Sequence, residues 1–522
     1  MTTSYEKKKK RNLIMLLSVL VVLLVAAIVV PKLLNKKEEE NNTEDELMYL
    51  TNINKADITA IHYSYVQKAE NDEGKDKNVD IKFVFKDSRW YLDGDDDFPV
   101  SQGNVSQNLV EGITKFQVGK KIENPGDLSK YGLDENIFKI DVGLKDGSVV
   151  TITAGQYNEV MNGYYVSVSG DDAVYMVGGT REDTIYDLFR SNVYEYAVMD
   201  TLPSVSSDTL QFISIVNGIG KVELTYKADG VDYDLVNSSY WFFQAPFSRL
   251  MPTVDDKIDD AISIITGMSY SLLADYNATD EELKKYGITD SQTYYSISYY
   301  EDKKDDSATS SDGETEKILK TYKMIIGSLN EAGDSYYVRP VTSDGVTTEE
   351  SRKISLVDKD TIENLLGIDP IDYMYRYATY VSFNDLLGGG YMQITTPNST
   401  GKVTIEEYSE KLNDGGEQKY KKYFLDDKEL SEDDGKAISN FYNKYMTSFV
   451  KQIFYEDTKK VEVNPTYTIE YHLVGKSIEK QVVQYTKYDD NFYQVTVDGY
   501  TDVMVSKQDI DDAFAILASL VK

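Results

Sequence analysis

A set of short sequence elements occurs twice along this chain in the same order. A strand-like segment that contains a tryptophan comes first, followed by a Tyr-Gly pair, a single glycine and a Tyr-Tyr pair. The corresponding positions are Trp90 and Trp241, Tyr131 and Tyr286, Gly132 and Gly287, Gly155 and Gly327, Tyr164 and Tyr336, and Tyr165 and Tyr337. Because one order returns at a similar spacing, the sequence predicts tandem copies of one structural unit.

The segments between these elements alternate between strand-like and helix-like patterns. Residues 79–85 alternate apolar and polar side chains, which is typical of a half-buried strand. Residues 104–116 and 255–268 carry apolar side chains at helical spacing. The second copy is longer because of a polar, low-complexity stretch at 303–317, where a hairpin loop tolerates an insertion. We therefore expect an α+β fold class, with two or three tandem modules of mixed β-sheet and helix.

A weaker third copy follows the first two. Residues 433–449 and 507–520 have the pattern of amphipathic helices, and strand-like segments lie at 467–473, 478–485 and 492–495. Val463-Asn464-Pro465 replaces the Tyr-Gly-Leu element, so this unit is either a diverged copy or a similar module of independent origin. The predicted domains are repeat module 1 at 47–200, repeat module 2 at 201–378 and a diverged module 3 at 379–522.

An apolar segment near the N-terminus predicts the location of the protein. Leu13–Val30 is apolar except for Ser18, and eighteen helical residues span about 27 Å, enough to cross a bilayer. The alternative is a cleaved signal peptide with Val25-Ala26-Ala27 as its cleavage site, but the apolar run continues beyond it. We predict a single-pass signal anchor: a transmembrane helix at 12–34, a cytoplasmic tail at 1–11 and a polar tether at 35–46.

The charge distribution predicts the orientation of that anchor. The basic run Lys7–Arg11 precedes the apolar segment; three lysines follow it, and an acidic stretch then begins at Glu38. By the positive-inside rule the N-terminus is cytoplasmic and the bulk of the chain is extracytoplasmic, at the cell membrane. Residues 38–522 carry 47 of the 55 basic residues and 87 of the 88 acidic residues. This acidic surface argues against nucleic acid as a partner.

The repeated motifs are expected to have structural roles. Tyr-Gly-Leu has the pattern of a helical turn that ends in a glycine of positive φ, with Leu128, Leu283 and the two tyrosines pointing inward. Trp90 and Trp241 are expected to fill the core of their modules.

The same motifs resemble a bacterial family of domains of unknown function, numbered 4340. The resemblance covers roughly residues 50–375 and is strongest at 79–178. It implies a single-pass envelope protein of the kind often encoded beside ABC-2-type transporter permeases and gliding-motility-like auxiliary subunits. It implies no catalytic residues.

No residue is assigned a catalytic, cofactor-binding or metal-binding role. The chain has no Cys and two His, His62 and His472, both on predicted strands. Asp93–Asp97 has the Asp-x-Asp-x-Asp spacing of a calcium loop, but Phe98 and Asn104 stand where an EF-hand needs Gly and Glu, so a solvated turn is favoured. The 43 tyrosines suit either half-exposed strands or a recognition surface.

The functional expectation is a non-enzymatic accessory or scaffold protein. Its anchor and acidic modules would associate with a membrane-protein complex such as an ABC-2-type permease or another envelope component. The alternative is an ectodomain that binds a solute or a cell-wall glycan through Tyr-rich strand faces. A hydrolase would require a deep pocket with two carboxylates of different pKa.

Overall fold

The computed structural model describes most of the chain beyond residue 47. The described residues are 48–68, 75–134, 138–178, 185–218, 220–228, 234–236, 239–302, 317–343, 348–411, 416–455, 460–518 and 520. They belong to two compact units, Met1–Ser191 and Asn192–Lys522. The predicted tail at 1–11, membrane span at 12–34 and tether at 35–46 lie outside the described residues.

Module 1 is an eight-stranded antiparallel sheet in the first unit. Its strands are β1 (Ile58–Gln67), β2 (Lys77–Lys86), β3 (Arg89–Leu92), β4 (Val118–Ile122), β5 (Phe138–Leu144), β6 (Val149–Asn158), β7 (Gly163–Val168) and β8 (Val174–Gly178). Its helices are α1 (Gln102–Asn104), a π-helix (Val105–Val110), α2 (Glu111–Thr114) and α3 (Ile185–Leu188). The helix predicted at 104–116 is therefore a composite element with a π-helical centre.

Module 2 is the first sheet of the second unit. Its strands are β9 (Leu210–Val216), β10 (Lys221–Tyr226), β11 (Trp241–Ala245), β12 (Met251–Pro252), β13 (Leu272–Asp275), β14 (Tyr294–Asp302), β15 (Lys317–Leu329), β16 (Ser335–Ser343), β17 (Thr348–Glu350) and β18 (Ile354–Asp358). Its helices are α4 (Asp255–Gly267), α5 (Asp280–Lys285), α6 (Lys359–Leu366) and α7 (Pro370–Tyr373). The capping box of Thr279 and Glu282 begins α5.

Module 3 is the second sheet of the same unit. Its strands are β19 (Tyr391–Thr395), β20 (Thr400–Lys411), β21 (Glu417–Leu425), β22 (Lys428–Glu429), β23 (Val450–Ile453), β24 (Tyr467–His472), β25 (Lys480–Lys487), β26 (Phe492–Val497) and β27 (Tyr500–Ser506). Its helices are α8 (Glu432–Met446) and α9 (Lys507–Leu517).

The three sheets share one strand order. When the short strands β12, β17 and β22 are set aside, each sheet has its strands in the order third, second, first, fifth, sixth, seventh, eighth, fourth. In each module a helical segment follows the third strand and carries the chain to the far edge of the sheet, where the fourth strand pairs with the eighth. The tandem arrangement is thus seen in the structure, and module 3 shares the topology of the other two.

Helices cover one face of each sheet. In β1, Ile61, Tyr63 and Tyr65 are buried while the intervening side chains are half-buried, as strand alternation requires. On the helix side of module 2, one face of α4 buries Ile258, Ala261, Ile262 and Ile265. Most buried apolar residues of modules 2 and 3 form one continuous core, whereas Ala278, Leu283, Ile288 and Ile354 form a separate small cluster.

The expected α+β class is wrong. Strands make up 44% and helices 21% of the structure, and three large antiparallel sheets dominate it. The sequence shows amphipathic helices clearly because their periodicity is local, whereas the joining of eight or more short strands into one sheet depends on distant pairing. Within the described part of the chain, no helix is both long and apolar enough to cross a membrane.

Candidate functional site

A cleft of about 880 Å³ opens on the helix side of module 2. Its lining comes from the segment 200–204, which precedes β9, from strands β14, β15 and β16, and from Tyr270 and Ser351. Tyr270 lies three residues beyond the end of α4. The lining residues are Asp200, Thr201, Leu202, Pro203, Ser204, Tyr270, Glu301, Tyr322, Pro340, Thr342 and Ser351.

Two tyrosines are the most buried residues of the cleft. The hydroxyl groups of Tyr270 and Tyr322 lie 2.7 Å apart and form one hydrogen bond. Burial raises the pKa of Tyr270 to about 12, and the carboxylate of Asp200 adds to this rise. Burial also raises the pKa of Tyr322 well above its usual value. Both phenols therefore stay neutral near pH 7, and since their mutual bond uses one of two protons, the pair keeps one proton to donate to a ligand.

The charges at the rim are compensated. Asp200 accepts hydrogen bonds from the Nζ of Lys353 at 2.7 and 2.9 Å. Glu301 forms an ion pair with Lys320. The cleft therefore offers neutral hydrogen-bonding groups and the apolar surfaces of Leu202, Pro203 and Pro340, with little net charge.

A second, smaller cleft of about 390 Å³ lies beside α4. Its lining residues are Val205, Ser206, Ser207, Asp259, Ile262, Ser263 and Thr266. Residues 205–207 line the smaller cleft, and they directly follow residues 200–204, which line the larger cleft.

The repeated motif residues lie elsewhere in the sheets. Trp90 is buried on β3, where its backbone N–H and C=O both bond to the side-chain amide of Gln102. Trp241 is buried on β11 and packs edge-on against Tyr226 at 5.3 Å. Both rings are buried core residues, as expected, and Trp241 belongs to the core shared by modules 2 and 3.

In module 1 the Tyr-Gly turn contacts a neighbouring strand. Tyr131 ends a 3₁₀ turn, and Gly132 follows it with a φ of 65°, in the left-handed region. A Cβ atom on Gly155 of β6 would lie 2.2 Å from the carbonyl oxygen of Tyr131. The ring of Tyr131 contacts that of Tyr165 at 4.9 Å, whereas Tyr164 contacts Tyr157. We call this arrangement of Tyr-Gly turn, strand glycine and second tyrosine the Tyr-Gly clasp.

Module 2 repeats the Tyr-Gly clasp with the same geometry. Gly287 has a φ of 71°, and a Cβ on Gly327 would lie 2.2 Å from the carbonyl oxygen of Tyr286. The rings of Tyr286 and Tyr337 are 4.6 Å apart. The side chain of Tyr336 lies on the opposite face of the strand from that of Tyr337, and its hydroxyl donates a hydrogen bond to Glu363 at 3.4 Å.

Several predicted side-chain placements differ between the two copies. Leu283 is buried, as expected, but Leu128 is 41% exposed, so its predicted inward orientation is wrong.

The carboxylates of the acidic loop at 93–97 form ion pairs with lysines. Asp93 pairs with Lys82 at 2.8 Å, and Asp96 pairs with Lys86 at 2.7 Å. Among the residues that the structure describes, no group of three carboxylates or imidazoles is placed to hold a metal ion.

Residues 90–235 match the model of the family described as a domain of unknown function, DUF4340. This segment is similar to the DUF4340 family, and we call it the DUF4340 segment. The DUF4340 segment starts at Trp90, contains the whole Tyr-Gly clasp of module 1 and continues into β9 and β10 of module 2. The rest of the resemblance over 50–375 depends on the motifs alone. A comparison with curated proteins finds no match.

The larger cleft falls mostly outside the DUF4340 segment, which supplies only the 200–204 wall. Sequence reasoning missed this cleft. Tyr322 has the pattern of an ordinary core residue of an alternating strand, and Tyr270 lies in a connection without periodicity. Tyr270 precedes β13, which pairs with β18, whereas Tyr322 lies on β15, which pairs with β14 and β16. The two tyrosines are 52 residues apart in the chain and meet only in the folded sheet, which no local pattern reveals.

Proposed function

We propose that this protein is a non-enzymatic accessory or scaffold protein of the cell envelope, held at the membrane by the apolar segment at 13–30. Its modules would be extracytoplasmic and would associate with a membrane-protein complex such as an ABC-2-type permease. The observation that carries this proposal is the use of one strand order three times in tandem. Tandem modules present repeated surfaces, which suits a protein that makes several contacts.

The sheet faces opposite the helices provide polar surfaces for such contacts. In module 1, His62 lies on this face between Asp80, at 2.8 Å, and Asp141, at 4.0 Å. In module 3, His472 contacts Glu470 at 2.5 Å and stacks on Tyr391 at 4.2 Å. These half-exposed networks are typical of wet, polar recognition surfaces.

The absence of cysteine allows a direct test of the membrane arrangement. A single cysteine can be introduced by Val160→Cys, at a side chain that is 93% exposed, or by Ser4→Cys in the N-terminal tail. A membrane-impermeant maleimide applied to intact cells should label the first variant and should label the second only after permeabilisation. The reverse pattern, or labelling of both, would contradict the proposed orientation.

Partner association is tested by crosslinking in intact membranes, detergent extraction and mass spectrometry of the tagged full chain. We expect recovery of a polytopic membrane protein that an unrelated single-pass protein with the same tag does not recover. Identical recovery with both baits would contradict the scaffold function.

The cleft of module 2 favours a second candidate function, the binding of a solute or wall-derived ligand. Its volume is within the range of small-molecule sites, and its lining combines neutral donors with apolar surface. Solubilised peptidoglycan fragments should change the fluorescence of the full chain saturably, and Tyr270→Phe should weaken this response. The matched control is Ser298→Ala, on the opposite face of β14. An equal response from both variants would contradict binding in the cleft.

A further inference from the structure

The two clefts of module 2 share one wall. Residues 200–204 line the larger cleft and residues 205–207 line the smaller one, without a break in the chain. From residue 202 to residue 206 an extended chain covers roughly 13 Å. A ligand that occupies both clefts must therefore be longer than a single small ring.

The opposite wall is also continuous. Asp259, Ser263 and Thr266 lie on one face of α4, since they are spaced by four and three residues. Tyr270 follows four residues after Thr266 and lines the larger cleft. The segment 200–207 therefore runs antiparallel to α4 and its extension, and the two clefts follow one another along the same pair of walls.

The chemistry of these walls argues against an anionic ligand and offers hydroxyl groups to a neutral one. Lysines neutralise Asp200 and Glu301 in the larger cleft, and Asp259 adds a carboxylate to the smaller one, so an anion gains no attraction. Hydroxyl groups are the commonest polar groups on both walls, and proline and tyrosine surfaces lie beside them. Alternating hydroxyl and apolar surface matches the faces of sugar rings.

An extended peptide fits the groove less well. The strands that line it, β14, β15 and β16, each have a hydrogen-bonded neighbour on both sides within the sheet. A peptide that binds by strand addition needs an unpaired sheet edge. The groove lies on the face of the sheet, so side chains alone would have to recognise the ligand.

We propose that the two clefts are consecutive subsites of one groove that binds a neutral oligosaccharide. This inference rests on the second candidate function and adds the ligand class and its length. The pair Tyr270–Tyr322 recognises sugar hydroxyls in the first subsite, and Ser263 and Thr266 line the second.

The test is isothermal titration of the full chain with neutral oligomers of graded length, from dimer to hexamer, of N-acetylglucosamine and of glucose. One series should bind with an affinity that rises at least tenfold from the dimer to the longer oligomers and then levels off. Tyr270→Phe should weaken binding of every length about tenfold, the effect of one lost hydrogen bond. Thr266→Val should weaken only the longer oligomers, and Ser298→Ala should change neither.

Two results would overturn this proposal. The first is an equal affinity for dimer and hexamer, or an equal effect of Thr266→Val on both, because the second subsite would then contribute nothing. The second is the absence of binding by either neutral series at millimolar concentration. If charged peptidoglycan fragments still bind in a manner that depends on Tyr270, ligand binding by the cleft stands and only the neutral oligosaccharide is excluded.

Discussion

Modules 2 and 3 have the same strand order but differ where the Tyr-Gly clasp is found. In module 2, Ile326 pairs with Val338, and Gly327 follows Ile326 beneath the carbonyl of Tyr286. In module 3, Tyr485 pairs with Val495 at the corresponding position, and the next residue is Thr486. Thr486 is 4% exposed, and its hydroxyl has no hydrogen-bond partner among the residues that the structure describes.

Module 3 has the same strand order without a Tyr-Gly clasp, so the clasp is a local contact between one turn and one strand and is not required for the sheet topology. Where the tyrosine carbonyl of a Tyr-Gly turn contacts the sixth strand of the module, the strand residue at that point must be glycine, because a Cβ atom would overlap with the carbonyl oxygen. Where Val463-Asn464-Pro465 replaces the turn, a side chain fits in the same place. The turn and the strand glycine are therefore lost together, although 23 residues separate Gly132 from Gly155 and 40 separate Gly287 from Gly327.

The largest effect is expected when the strand glycines are replaced. Gly155→Ala and Gly327→Ala place a Cβ 2.2 Å from a backbone oxygen, so each should destabilise its module by about 3 kcal/mol. Urea denaturation followed by tryptophan fluorescence reports on module 1 in a Trp241→Phe background, and on the unit that contains modules 2 and 3 in a Trp90→Phe background. Thr486→Ala in module 3, followed by circular dichroism, should change stability far less. A comparable loss at all three sites would contradict the role of the clasp.

Alkaline pH should reveal a second difference, in the buried phenols. Burial raises the pKa of Tyr270 to about 12, so its neutral form is favoured in the folded state. The corresponding stability is present below pH 10 and is lost as the pH rises towards 12, by about 2 kcal/mol. Burial raises the pKa of Tyr485 further, so Tyr485→Phe should reduce alkaline destabilisation more than Tyr270→Phe does. Thermal unfolding at pH 8 to 12 measures the loss of stability for the wild type and both variants. If the melting temperatures of all three proteins fall equally with pH, the two buried tyrosines do not cause the alkaline destabilisation.

The turn glycines should have an intermediate effect. Gly132→Ala and Gly287→Ala force a Cβ into the left-handed region at φ of 65° and 71°, which costs about 1–2 kcal/mol. Gly287→Asn should recover part of the loss, because asparagine tolerates this conformation better. The free energy of unfolding is measured by the same urea denaturation with tryptophan fluorescence. If Gly287→Asn is no more stable than Gly287→Ala, the loss comes from steric crowding by the added side chain and not from the positive φ.

The smallest effect is expected from the clasp hydroxyls. Tyr286 donates to the buried carboxylate of Asp275 at 3.3 Å, whereas Tyr131 reaches only the carbonyl of Pro125 at 3.5 Å. Tyr286→Phe should therefore cost about 1 kcal/mol, and Tyr131→Phe about half of that. Equal losses would show that the ring contacts, and not the hydroxyl groups, stabilise both clasps.

Local features of this protein could be predicted from its sequence. The helix predicted at 255–268 is Asp255–Gly267 in the structure, and His62 and His472 lie on strands as expected. These features depend on residues a few positions apart. The exposure of Leu128 was not predicted, because Leu128 and Leu283 share the Leu-x-x-Tyr-Gly spacing. In the structure Leu128 begins a short 3₁₀ turn, whereas Leu283 lies in the α-helix α5 and packs in a buried cluster.

The repeat, its motifs and the periodicity of the longer helices can be recognised in the sequence alone, because they follow from local spacing and composition. The dominance of β-structure, the strand order common to the three sheets and the clefts of module 2 became visible only in the folded chain. Strand pairing, and the meeting of Tyr270 with Tyr322, join residues that are distant in the chain. These long-range contacts are stabilised by burial and by hydrogen bonds that exist only after the sheet has formed.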